Sequence, residues 1–371
     1  MKNKPKIYLA AAGAGKTYQI CHGLDVNKRN LILSYTNENV LNINRELISS
    51  FSKTPDKTVV MTYDSFLLRF FIWPYYKLIQ EQLFNKEYRK NKSITFKIKK
   101  FNPVRKQENL KSNFYHYFIM DKDGNYIIYN DQISSLILSD KLPRFKDGLT
   151  LFDKGMKRIN DFFDNVYIDE FQDYRKDKYK LMVKIMQNVS NGIMYGDYYQ
   201  HSVSGLSNNG APFLSKTTYD SFIKEMIKNG FEIDNKTLLK TRRCSENVCK
   251  FIREKLNIEI YSDDEMNRIG NITYIFDNKQ LENVLKNKKV KILSLTNSSE
   301  WKSISFGLSK GNTYDNTLVI IPDKYLINEN EGLKPIDNVI SKNQIYVALT
   351  RATGETYVTS RSFVKKHFTE V

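Results

Sequence analysis

Cysteine is scarce in this chain: three in 371 residues, at Cys21, Cys244 and Cys249. None forms a C-x-x-C pair, which argues against both a disulfide framework and a zinc site and fits a reducing cytoplasm. Histidine is nearly as rare, four scattered residues with no ligand-like spacing. No uninterrupted apolar run reaches the length needed to span a bilayer. The opening M-K-N-K-P-K, followed by apolar residues, imitates a secretion signal, but the apolar part is short and runs straight into G-K-T, so no signal is expected. Gly/Ser- or Pro-rich linkers and internal repeats are also missing. Acidic residues are in deficit: 41 Asp and Glu face 58 Lys and Arg, a net charge of +17. That excess favours a polyanionic partner, nucleic acid before an anionic membrane, although a Lys-rich proteome would produce it too.

Aromatic residues, by contrast, are abundant at 13%, with 24 Tyr and 22 Phe, most for the core and some available to stack on bases. The length implies two or three domains. Apolar spacing predicts a helix over 16–23, a strand at Asn30–Ser34 feeding a helix, and a strand at Thr58–Thr62 followed by another. Strands alternating with helices point to a parallel sheet covered on both faces. The alternation lapses over 67–160, read as an inserted subdomain. Within it, 86–111 holds ten Lys or Arg against two Glu. That stretch suits a nucleic-acid surface and a solvated basic face equally. The run D-K-D-G-N-Y reads as a hairpin turning at Asp123–Gly124; its Gly falls too early for a calcium loop. The sheet is expected to resume at 165–169 and 192–195, with a helix over 221–229. A second series from 236 onward has strands expected at 289–295, Asn316–Ile321, 345–349 and 356–359.

The chemistry begins at Ile7 to Thr17, I-Y-L-A-A-A-G-A-G-K-T. A short strand runs into Ala11, Ala12, Gly13, Ala14 and Gly15, residues too small to stand between the backbone and a ligand. Lys16 and Thr17 then open a helix. This is the layout of a phosphate-binding loop, with N–H groups and a helix N-terminus turned toward phosphate. Lys16 is placed to reach the β/γ-phosphates and Thr17 to offer its hydroxyl to Mg²⁺. Ala10 stands where the strict pattern has Gly, and a plain small-residue turn is the alternative. V-Y-I-D-E-F-Q-D supplies the carboxylates such a loop needs: Asp169 for Mg²⁺ and Glu170 as base toward water. Y-G-D-Y-Y-Q places Gln200 after another strand, for the γ-phosphate or the water. Arg243, after T-L-L-K-T-R, and Arg351, in Y-V-A-L-T-R-A, are candidate arginine fingers, which together suggest a nucleotide cleft between two lobes.

These residues carry a family resemblance. The chain resembles a superfamily 1 helicase of the UvrD/Rep type through A-A-A-G-A-G-K-T, S-Y-T-N, M-T-Y-D-S-F, D-E-F-Q-D, G-D-Y-Y-Q, L-L-K-T-R-R-C, S-K-G-N-T-Y-D and V-A-L-T-R-A, in the family's order and across nearly the whole chain. The resemblance implies an α/β fold of two RecA-like domains: 1–66 with 161–235, carrying the basic insertion 67–160, and 236–371. It implies ATP-driven translocation on single-stranded DNA, ahead of RNA, usually 3′ to 5′, in repair, replication or anti-phage defence. Tyr35, Thr36, Asn37, Thr62, Tyr63 and Ser65 would meet the strand. Lys310 and Gly311 would couple the second lobe to strand and nucleotide. Several places depart from the pattern. The adenine-reading segment upstream of the loop is expected to be absent. Arg242 replaces a Tyr that stacks on the base, and a guanidinium plane can still stack. Gly205 stands near the place of a base-wedging aromatic, and Thr313 replaces a ribose-contacting Glu. The separation of Arg243 from Ser309 leaves no room for the family's large second insertion. The main reading is a compact, Mg²⁺-dependent ATPase and translocase. One alternative is a DNA-responsive switch gating a partner nuclease or a defence or repair protein; another is a loop-containing kinase or ligase. A cytoplasmic location and no membrane partner complete the expectations.

Overall fold

The computed structural model describes residues 3–77, 79, 94–97, 118–120, 126–139, 144–201, 212–213 and 217–370. Most of the basic stretch 86–111, the turn at Asp123–Gly124 and Gly205 lie outside these residues. The protein is α/β, with parallel sheets flanked by helices, as expected. It divides into two compact units, Met1–Lys6 with Ile20–Met194 and Ile7–Gln19 with Tyr195–Val371. Strand β1 (Lys6–Leu9) and helix α1 (Lys16–His22), with the loop between them, belong mainly to the second unit.

In the first unit, β2 (Asn30–Ser34) is buried at every position, as a central strand covered on both faces must be. Thr36 then caps α2 (Asn37–Phe51) by accepting from the Asn39 N–H at 3.1 Å, and Ile43 and Leu47 turn inward. β3 (Thr58–Thr62) passes directly into α3 (Tyr63–Leu67), whose cap is Thr62. Three strands, β4 (Ile94–Lys97), β5 (Phe118–Met120) and β6 (Tyr126–Tyr129), form a small separate sheet in the order β4-β6-β5. β5 and β6 are antiparallel with Met120 opposite Tyr126, the pairing a hairpin requires. Helices α4 (Asn130–Leu138) and α5 (Leu151–Phe162) follow. α5 starts in a reciprocal Thr150–Asp153 capping box and crosses Phe71 so closely that a Cβ on Gly155 would overlap the ring. β7 (Asn165–Ile168), α6 (Lys176–Met186) and β8 (Gly192–Gly196) complete the unit's main sheet, ordered β3-β2-β7-β8 and parallel throughout.

Register decides what this sheet presents. Ser34 lies opposite Thr62, and Leu33 opposite Ile168. The residues that follow, Tyr35–Asn37, Tyr63–Ser65 and Asp169–Glu170, therefore emerge together at the carboxyl edge, where open α/β sheets place ligands.

The second unit continues through α7 (Tyr219–Lys228), β9 (Glu232–Asp234), β10 (Lys240–Thr241), α8 (Glu246–Leu256), β11 (Tyr261–Ser262), β12 (Ile272–Tyr274) and α9 (Asn278–Lys286). It ends with β13 (Val290–Ser294), β14 (Ile304–Ser305), β15 (Asn316–Ile321), α10 (Val339–Leu349), β16 (Thr356–Ser360) and α11 (Arg361–Glu370). Its five-stranded sheet runs β12-β16-β15-β13-β14, all parallel. One core holds Val248, Ile252, Leu293, Val319 and Ile345–Leu349, and it also takes in Ala11 and Ala12 of the small-residue loop.

The expected strand at 345–349 is a correction. These residues are the last turns of α10, capped at its start by Asn338 accepting from the Ser341 N–H. All five side chains are buried, so the run shows no polar stripe, and a short apolar run does not distinguish helix from strand by period. Among the described residues no helix is long and apolar enough to cross a membrane.

Candidate functional site

The small-residue loop is pinned by its own backbone. Ala10 N–H donates to Gly196 O, Ala11 N–H to Leu238 O, both at 2.8 Å, and Ala14 N–H to Ala11 O at 3.2 Å. Gly13 and Gly15 take φ of +74° and +79°, where a side chain is strained. At Gly13 there is also no space: a Cβ would lie 2.7 Å from Thr241 Oγ1 and 2.9 Å from Arg243 Cβ. Gly13 O in turn accepts from the Arg242 N–H at 3.0 Å. Among the described residues the N–H groups of Gly13, Gly15 and Thr17 meet no protein acceptor. Lys16 is 9% exposed. The loop is thus a hydrogen-bonded turn at the start of α1 whose Gly13, Gly15 and Thr17 N–H groups meet no acceptor among the described residues, a cradle that fits phosphate.

Both late arginines lie in the same unit as the loop, fastened to the carboxyl end of α10. Arg243 Nη1 donates to Thr350 O at 3.0 Å, and Arg351 Nε to Val347 O at 2.9 Å. Arg351 also donates to Thr350 Oγ1 at 3.2 Å and to Asn312 O at 3.5 Å. It is only 1% exposed, and among the described residues no carboxylate pairs with it. Burial, and after it the charge of Arg243, pushes its guanidinium down to about 9. Arg351 is thus a buried cation beside a second one, held among the described residues by carbonyl and hydroxyl oxygens, an environment that favours a bound anion.

Gln200 is buried and its Nε2 donates to Asp197 Oδ2 at 2.8 Å. Arg242 lies half-exposed with its guanidinium 4.4 Å from the Tyr18 ring centre and 3.5 Å from Asp263. The Arg242 guanidinium lies over the Tyr18 ring beside Gly15, a cationic–aromatic pair suited to stacking. Tyr18 was not singled out by sequence; its only signal is its place directly after G-K-T. Thr313 is exposed and Lys310 half-buried just ahead of β15.

The remaining candidates belong to the first unit. Asp169 is 3% exposed, and its N–H donates to Leu33 O. Glu170 follows in the left-handed region, φ 56° and ψ 46°, a strain that non-glycine residues keep mainly at functional positions. Its carboxylate accepts from Gln172 Nε2. Along the same edge, Tyr35 meets Tyr174 edge-on at 5.4 Å, and Lys178 Nζ stands 5.6 Å from the Tyr35 ring centre and 2.9 Å from Asp64. Tyr35, Thr36, Asn37, Thr62 and Ser65 are at least partly exposed. Tyr63 is not: it is 1% exposed and its hydroxyl donates to Lys178 O, so it supports this surface from beneath rather than forming it.

Among the described residues no group of three or more His, Cys, Asp or Glu side chains could hold a metal. Magnesium does not require one, since it is commonly held by one or two carboxylates plus substrate phosphates.

No protein-family model matches the chain, and no curated protein does. Among solved structures, it aligns with the arterivirus nonstructural protein 10 helicase in complex with DNA, at 10% identity over 96% of this chain and 60% of that one, TM-score 0.46. It also aligns with the arterivirus nonstructural protein 10 helicase alone, at 11% identity over 95% and 59%, TM-score 0.43. The chain spans about 60% of the length of these helicases. At TM-scores below 0.5 the functional reading rests on the chain's own residues.

Proposed function

We propose that this chain is a nucleoside-triphosphate-driven translocase on single-stranded DNA, of the superfamily 1 UvrD/Rep type, with ATP and Mg²⁺ as its cofactors and two RecA-like lobes, 1–66 with 161–235 and 236–371. The observation that carries this reading is the pairing of the glycine-opened loop with Arg243 and the buried Arg351. Arg243 packs against Gly13, and among the described residues no carboxylate pairs with the buried Arg351, where a phosphate would supply the charge. A bound Mg²⁺ would neutralise charge growing on the phosphoryl oxygens.

On this reading the residues take the roles that the superfamily 1 resemblance implies. Gly13, Gly15 and Thr17 present N–H groups, and Lys16 an ammonium, to the β/γ-phosphates. Thr17 and Asp169 suit Mg²⁺. Glu170 suits the removal of a proton from water, and Gln200 its alignment. Arg243 and Arg351 suit the charge on the γ-phosphoryl oxygens; such a finger is worth about 10³–10⁵ in rate. Arg242 and Tyr18 offer a base a stacking face without reading its edge. Tyr35, Thr36, Asn37, Thr62 and Ser65, with Lys310, suit the nucleic-acid strand.

The test is NTPase activity with no nucleic acid, with single-stranded DNA and with RNA, alongside Lys16→Ala. Stimulation by DNA in the wild type, with hydrolysis abolished and the melting curve retained in Lys16→Ala, is the expected result. A chain that hydrolyses no triphosphate under any of these conditions overturns the reading. Strand displacement by the isolated chain then separates a motor from a DNA-responsive switch.

A further inference from the structure

A buried hydrogen-bond chain joins the loop to Gln200, and its middle member is a side chain to which nothing above gives a function. Ala12 N–H donates to Tyr346 Oη at 2.8 Å. Tyr346 Oη donates to Asp197 Oδ2 at 3.2 Å, and the same oxygen accepts from Gln200 Nε2 at 2.8 Å. Asp197 Oδ1 accepts from the Tyr199 N–H at 2.9 Å. Ala12, Tyr346 and Asp197 are each 0% exposed. A hydroxyl between an N–H and a carboxylate can satisfy both only by accepting from one and donating to the other, so its direction is fixed. Burial, and beyond it the negative charge of Asp197, hold the phenol well above its ordinary value, so it stays protonated and stays a donor. Tyr346 directly precedes Val347, whose carbonyl holds Arg351, and lies one turn before Thr350, whose carbonyl holds Arg243; its own carbonyl accepts from Thr350 Oγ1 at 2.9 Å.

We propose that Tyr346 is a positioning residue for hydrolysis: its hydroxyl fixes the Asp197 carboxylate, and through it the Gln200 amide, in register with the phosphate loop. This rests on the NTPase reading above. The Gln200 Nε2 bond to Asp197 sets the amide plane and hence the direction of its carbonyl oxygen. Loosening Asp197 would let that plane rotate, while the loop's N–H groups and Lys16 would still bind phosphate. The hydroxyl therefore acts on turnover rather than on affinity.

The experiment measures kcat, KM and the affinity for a non-hydrolysed triphosphate in wild type, Tyr346→Phe, Gln200→Ala and the double variant. Tyr346→Phe should lower kcat roughly 10-fold, short of the 10²-fold that a full 1 Å misplacement costs, with affinity changed less than about twofold. In the Gln200→Ala background the same substitution should cost less than about a further twofold, because both act through one group. Losses that multiply, a wild-type kcat in Tyr346→Phe, or a raised KM at unchanged kcat each overturn the proposal. Should Tyr346→Phe not fold, Asp197→Asn keeps the hydroxyl and removes its charged acceptor. It should show the same non-multiplying loss with Gln200→Ala, and multiplication there overturns the proposal. A wild type without NTPase activity, by contrast, overturns the functional reading itself.

Discussion

Arg351 shows how one side chain can work against the stability of the protein that carries it. A guanidinium that is 1% exposed, beside a second one and pairing with no carboxylate among the described residues, gives up hydration worth several kcal/mol and recovers only part through carbonyl and hydroxyl acceptors. Replacing a buried charge by an apolar side chain of similar length is often stabilising. Arg351→Met should therefore raise the melting temperature of the free protein by about 2 °C or more, while lowering kcat by about 10³-fold or more. Calorimetry and steady-state hydrolysis on the same preparation check both halves; a variant that melts lower and hydrolyses normally would make Arg351 a structural residue. Glu170 is the complementary case. Its left-handed backbone commits strain to one carboxylate position, and Glu170→Gln retains the shape and the Gln172 contact. That variant should bind triphosphate like the wild type and turn it over about 10²-fold or more slowly, the range expected for a general base. Normal turnover removes Glu170 from that role.

At the scale of elements, the carboxyl edge of the first sheet depends on strands that start in register. Arg29 and Asp164 tie those starts together: they precede β2 and β7, and Asp164 accepts from Arg29 Nη2 at 2.7 Å, Nε at 3.2 Å and N–H at 2.9 Å. The Arg29 hydrogen bonds hold the Asp164 carboxyl down at about 2. Because the folded value is depressed, the contribution is complete above the ordinary carboxylate value near 3.8 and is lost as pH falls from there toward about 2. The pair is partly exposed, so the effect is small in size but definite in sign. Urea unfolding at pH 5 and pH 3 should show a smaller acid-induced loss in Asp164→Asn than in wild type; equal losses would mean that the pair does not hold the register. Elements of this kind were legible where burial matches a simple pattern. N-L-I-L-S, T-V-V-M-T and N-T-L-V-I-I are strands with the expected bounds because fully or half-buried strands need short β-branched or Leu/Ile-rich runs. The loop was legible because backbone geometry demands small residues there, and the clash at Gly13 gives that demand a partner. The end of α10 was not, since a helix buried on all sides carries no 3.6-residue stripe. That misreading also hid Tyr346, whose contact with Ala12 joins positions far apart in sequence that no local pattern connects.

For the whole molecule, the dominant quantity is the net charge of +17. A polyanion meeting this surface releases condensed counterions, and each phosphate neutralised on a single strand steepens the salt dependence by about 0.7 in log affinity per log salt. Contact with roughly five phosphates, modest for a chain of this charge, predicts a slope of about −3.5 and a loss of roughly 10²-fold in affinity between about 50 and 200 mM salt. Charge alone would give a salt slope on any nucleic acid, about 0.7 per phosphate contacted on a single strand and about 0.9 on duplex. On the proposed reading, the edge at Tyr35–Asn37, Thr62 and Ser65 would add a term that depends on unstacked bases and hardly on salt, because stacking releases no ions. The two contributions separate in one titration series. Single-stranded DNA should bind more tightly than duplex of equal length, and the advantage should widen as salt rises and the electrostatic part fades. Tyr35→Ala should narrow that advantage while leaving the slope within about 0.5 of the wild type, since it removes a stacking face and no phosphate contact. A preference for single strands that vanishes at high salt, or a Tyr35→Ala variant whose slope falls by about one contact or more, would mean that the strand is held by charge elsewhere on the molecule and that this edge does not touch it.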